Sequence, residues 1–136
     1  MNMNRWLYAS AAAFVVLAVL EFVVNGVLLA GIYQQTASVW RPEAEMVSLS
    51  WLFWLAYLVF APVFTLIYSQ GFESNKQGIG QGLRFGIYVG LLTAIPMNLI
   101  WYVVLPIPAS LAVYWAIAGL VEMIAMGIAV GLIYKK

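Results

Sequence analysis

"WLYASAAAFVVLAVLEFVVNGVLLAGIY", residues 6–33, carries one charged side chain, Glu21, in an otherwise apolar run. A transmembrane helix needs about 20 mainly apolar residues, so this stretch is long enough to cross a bilayer. It is too long for the core of a signal peptide, and a glutamate suits that role badly, so it is expected to be retained rather than cleaved. Three further segments meet the same criterion: 47–69, 82–105 and 109–134. The 136-residue chain is 65% hydrophobic and 8% charged, where soluble domains carry roughly 25% charged residues. A soluble chain this apolar would expose large sticky patches. The expected class is an all-α membrane protein, with residues 1–136 forming a single transmembrane domain of four helices.

Short connections between successive spans imply an up-down-up-down bundle. The first, "QQTASVWRPEAEM" (34–46), places Pro42 at the first turn of the second helix, with Glu43 and Glu45 near its positive N-terminal end. The second, "QGFESNKQGIG" (70–80), is a polar, glycine-rich turn, and the third, "LPIPAS" (105–110), uses two prolines to stop one helix and start the next. Basic residues set the orientation. Arg5, Lys76, Arg84, Lys135 and Lys136 fall on the side of the termini and Arg41 alone on the other, which places both termini in the cytoplasm. Arg84 can snorkel to headgroups from one turn inside the third helix. Trp40, Trp51, Trp54, Trp101, Tyr102, Tyr114 and Trp115 gather toward the outer side. They read either as an interfacial belt or, with Trp51, Trp54, Trp101 and Trp115 as its wall, as an outward cavity for an apolar or cationic ligand.

Helix three holds the most regular pattern. Gly78, Gly82, Gly86 and Gly90 recur every four residues and Ala94 extends the row, a smooth ridge that lets another backbone approach closely in lipid. The first reading is packing inside the bundle, against a row in helix four of Gly119, Met123, Gly127 and Gly131. The alternative is a homodimer seam. Pro62 and Pro96 interrupt helices two and three, with Thr65, Thr93 and Asn98 nearby to satisfy freed backbone groups.

Glu21 and Glu122 lie near the centres of spans one and four, and Asn25 is one turn beyond Glu21 on the same face. No Lys or Arg sits at that depth. An isolated ionised carboxylate in a dry interior is so costly that it takes up a proton instead, so at least one of the two is expected to hold a proton if they are buried together. Three roles compete: a hydrogen-bonded clasp between helices, a site for a proton, metal ion or organic cation, and acid–base catalysis. Catalysis is the weakest, because carboxylate metal enzymes use more ligands than this chain has.

The absences are equally informative. With no Cys there are no disulfides, thiol chemistry or iron–sulfur ligation, and with no His there is no ordinary haem or zinc site. A net charge of +1 leaves no footprint for nucleic acid.

The arrangement "EFVVNGVLLAGIY" (21–33), seven residues, then "RPEAEM" (41–46) resembles a group of uncharacterised small four-helix bacterial inner-membrane proteins. The resemblance implies the architecture and a bacterial inner membrane, and it implies no activity. Small multidrug exporters are similar in size, helix number and a central first-helix glutamate, while the residues around Glu21 differ from theirs. The expectation is a multi-pass inner-membrane protein of structural or accessory kind, embedded in the lipid bilayer, with a buried Glu21–Asn25–Glu122 cluster. No enzyme activity, cofactor or metal is expected. The alternative is a small proton- or cation-coupled transporter or ligand binder using Glu21 and Glu122.

Overall fold

The computed structural model describes residues 1–135, all of them helical or in connections, with no strand among the described residues. Helix α1 (Met3–Glu21) runs into a π-helical segment, Phe22–Leu28. It is followed by α2 (Ala30–Gln35), a 3₁₀ turn (Ala37–Val39), α3 (Glu43–Leu49), α4 (Trp51–Gln70), α5 (Gly78–Val104) and α6 (Ala109–Ile133). Four helices are long and apolar enough to span a membrane: Met3–Leu28, α4, α5 and α6.

Local chemistry sets the boundaries. The Asn2 side chain accepts from the Arg5 N–H at 3.2 Å and caps α1, starting the first helix earlier than hydropathy suggests. Pro42 stands just before α3 rather than inside it, with Glu43 and Glu45 in the first turn. The expected second span, 47–69, is divided at Ser50, whose hydroxyl donates to the Val47 carbonyl at 2.8 Å. Such back-bonding by Ser competes with helix continuation. Pro62 and Pro96 sit inside unbroken helices. The hydroxyls of Thr65 and Thr93 and the Asn98 amide donate to the carbonyls of Ala61, Val89 and Ala94, each four residues back, at 2.7–2.9 Å. These are not the Leu58 and Leu92 carbonyls that the prolines leave without an N–H.

Lipid is as apolar as the bundle interior, so helices meet through close packing and polar contacts. The closest seam joins α5 to α6. A Cβ on Gly78, Gly82 or Gly86 would overlap the carbonyl oxygen of Gly131, Gly127 or Met123 respectively. Gly90 faces Leu120, and Ala94 carries the row on to Gly119. The glycine ridge is therefore taken up within the chain. A homodimer seam through that face would have to displace α6. Helix α1 packs on both α4 and α6, with Ala9 and Ala13 fully buried.

Helices α4 and α5 barely meet along their length, and their aromatic contacts gather at one end. There Phe64 packs on Phe85 (ring centroids 4.7 Å apart) and Tyr68 on Phe85 (5.6 Å). Tyr68 and Phe72 pack edge-on against Tyr134 at 6.0 and 5.3 Å. The Tyr68 hydroxyl donates to the Gly78 carbonyl at 3.3 Å, and Met1 reaches Ser69. The connection from α4 to α5 is held by buried Gln81. Its amide oxygen accepts from the Glu73 N–H at 2.8 Å, and its NH₂ donates to the carbonyls of Glu73 and Lys76 at 2.9 and 3.1 Å. Outside this clamp, Glu73 pairs with Lys76 at 2.6 Å and Arg84 at 3.5 Å. The Lys76 hydrogen bond holds the Glu73 carboxyl below the ordinary carboxylate value.

Candidate functional site

Glu21 is the last residue of regular α1, and Asn25 lies inside the π-helical segment. Two local features loosen the helix there. Asn side chains compete for backbone carbonyls, and the Asn25 amide donates both to the Glu21 carbonyl (3.2 Å) and to Glu21 Oε2 (2.6 Å). Gly26 follows, without a side chain to restrain the backbone. The π-type bond from the Leu29 N–H to the Val24 carbonyl, 2.9 Å, closes the segment.

The π turn brings Tyr33 into the site. In a regular helix, residues eight apart lie about 80° apart around the axis. An inserted π turn winds that offset back, and the Tyr33 hydroxyl donates to Asn25 Oδ1 at 2.5 Å. Trp115 of α6 donates its indole N–H to the same hydroxyl at 2.7 Å. Trp40 completes the roof, its ring 5.6 Å from Tyr33 and 6.0 Å from Trp115 by centroids, with its N–H on the Thr36 hydroxyl at 3.0 Å.

Glu122 of α6 is buried, and its carboxyl lies within hydrogen-bonding range of Glu21. An ionised carboxylate only accepts hydrogen bonds, so a bond between the two groups requires a proton on one of them. The result is a continuous polar line: Trp115 to Tyr33 to Asn25 to Glu21 to Glu122. The sequence-expected trio of Glu21, Asn25 and Glu122 is thus brought together, and Tyr33 joins it. The sequence carries no direct sign of Tyr33, because eight positions put it about 80° around a regular helix from Asn25, outside direct reach without the π turn.

This line forms one wall of a cleft of about 1220 Å³. The opposite wall comes from α4 and α5 and includes Trp54, Tyr57, Phe60, Met97, Asn98 and Trp101. No Lys or Arg lines the cleft among the described residues. Of the four tryptophans expected as an outer wall, Trp54, Trp101 and Trp115 border the cleft, whereas Trp51 faces away and is exposed. Tyr102 and Tyr114 are also exposed and outside the lining. Arg84 is remote from the site, at the Glu73 pair. No group of three or more metal-ligating side chains occurs among the described residues. Two carboxyls alone are a poor divalent-metal cage. Beside aromatic faces they suit a single positive charge.

No protein-family model, curated protein or solved structure matches the chain.

Proposed function

We propose that the protein is a small proton-coupled binder or transporter of organic cations in a bacterial inner membrane. In this reading the bundle runs up-down-up-down with both termini in the cytoplasm, as the five-to-one distribution of basic residues supports, and the cleft faces outward. The observation that carries the reading is the Glu21–Glu122 pair set in an aromatic cleft with no basic residue to neutralise it. A monovalent organic cation enters as one carboxyl proton leaves, so the charge of the membrane interior does not change. The aromatic faces supply cation–π attraction.

The test is calorimetric titration of tetraphenylphosphonium into the purified protein in lipid nanodiscs at several pH values. Binding should release up to one proton per cation and tighten by up to about tenfold per pH unit where the exchanged proton is held. Glu122→Gln should abolish proton release while the protein stays folded. Flat titrations with tetraphenylphosphonium and a panel of alkylammonium cations would sink the reading.

The unbroken hydrogen-bond line from Trp115 to Glu21 favours a second role, a structural clasp between α1, α2 and α6 in an accessory membrane module. Interhelical bonds of this kind are worth about 0.6–2 kcal/mol each. If the clasp is the whole story, Glu21→Ala lowers stability, Glu21→Gln preserves it, and neither form responds to cations.

A further inference from the structure

The walls of the cleft differ in chemistry, and the difference has a direction. The polar groups, Glu21, Asn25, Tyr33 and Glu122, belong to the α1–α2 stretch and α6. The opposite side, contributed by α4, α5 and the Ser50 junction before α4, is aromatic and aliphatic apart from Ser50, Thr93, Asn98 and the Tyr57 hydroxyl. In space the spans follow the order α4, α1, α6, α5, each packed on the next, so the open seam is the one between α4 and α5. At one end that seam is shut by Phe64, Tyr68 and Phe85. Toward the other end, its flanking residues Phe53, Trp54, Met97 and Trp101 are each at least two-fifths exposed while also lining the cleft. Both helices are long and apolar enough to span a membrane, and in a bilayer this seam would look onto hydrocarbon.

From this we infer that the cleft is entered sideways from the bilayer, between α4 and α5, and that its ligand is a membrane-dissolved amphiphilic cation. The cationic head, a single-tailed amine or quaternary ammonium, seats against Glu21 and Glu122, and the alkyl tail leaves between Phe60 and Met97 toward lipid. The choice of occupant follows from charge complementarity. An acidic pair with no basic neighbour repels anionic headgroups and attracts a cation, and an apolar seam accepts a chain. The inference rests on the cation reading of the carboxyl pair for the head and on the seam alone for the route.

Trp115 reports on both. A variant in which Trp6, Trp40, Trp51, Trp54 and Trp101 are each replaced by Phe keeps Trp115 as its only indole, on the polar wall of the cleft. It is reconstituted into phosphatidylcholine vesicles brominated midway along the acyl chains. If that variant does not fold, the emission difference between the wild type and Trp115→Phe supplies the same signal. Lateral access predicts that Trp115 loses most of its emission to the brominated chains. Hexadecyltrimethylammonium should restore that emission in the protein with both carboxyls and fail to do so in the Glu21→Gln/Glu122→Gln double variant. A Trp115 that brominated lipid leaves bright overturns the route, whether or not aqueous acrylamide quenches it. Quenching that hexadecyltrimethylammonium does not relieve overturns the amphiphile. If tetraphenylphosphonium still binds in that case, the cation site itself survives, and the two failures are told apart.

Discussion

At the end of the bundle where Met1 meets Ser69, aromatic rings from α4, α5 and the Tyr134 region fill the space between helices. Toward the other end, aromatic rings from α4, α5 and α6 border about 1220 Å³ of space. The residue types are nearly the same, so the side chains do not decide which end is solid. What differs is how far apart the backbones stand. Glycines hold α5 against α6 from Gly78–Gly131 up to Gly90–Leu120, and α1 lies on α4 through buried alanines near the tight end. No such small-residue seam joins α4 to α5, and these two helices part beyond Phe64 and Phe85. An aromatic residue fills space where helices converge and lines it where they diverge.

The contrast can be broken at several points. The largest effect should come from Gly82→Leu, which drives a side chain into the Gly127 backbone where nothing flexible can yield. The bundle is expected not to assemble, read as loss of folded protein after extraction into mild detergent. Gly80 has nothing near its Cβ position, so Gly80→Ala should leave stability unchanged or raised by up to about 1 kcal/mol. A folded Gly82→Leu would show that the α5–α6 seam is not what holds the tight half.

Next in size is a matched pair of aromatic deletions, Phe64→Ala and Trp101→Ala. Phe64 is buried and Trp101 is 43% exposed. Phe64→Ala should cost about 2–3 kcal/mol, less than in a soluble core because lipid solvates the lost ring's surroundings as well as protein does. Trp101→Ala should cost less than about 1 kcal/mol in denaturant titration and weaken binding of tetraphenylphosphonium instead. Equal stability losses would mean that the cleft end is packed rather than open.

The smallest of the three concerns the tight end alone. Gln81→Ala leaves the Glu73 N–H and two loop carbonyls without their partner. It should cost about 1–3 kcal/mol and speed proteolysis between Gly71 and Gln77, with cation binding untouched. A change in binding would show that the two halves are coupled.

Much of the scaffold is legible in the sequence. Four apolar runs announce four spanning helices, and the four-residue recurrence of Gly78 to Gly90 announces a close seam, because period and composition are local properties. Glu21 and Glu122 stand at similar depth by residue count alone, and Asn25 shares a face with Glu21. The break at Ser50 and the capping by Asn2 each turn on a single hydrogen bond, and the Gln81 clamp on three, none of which hydropathy registers. Tyr33 was hidden for another reason: its place depends on the π turn, which changes the helical period on which any face assignment rests.

The sequence by itself determined an apolar chain that can satisfy its backbone in lipid only as helices, and it set two carboxyls near the centres of two apolar runs with no Lys or Arg beside them. Tertiary structure alone decided that the glycine ridge packs against α6. It alone decided that Glu21 faces Glu122 and that α4 and α5 part to leave a cleft beside them. Those outcomes depend on the distances between helices and on their rotation about their own axes, which arise when all four pack at once and are written in no single span.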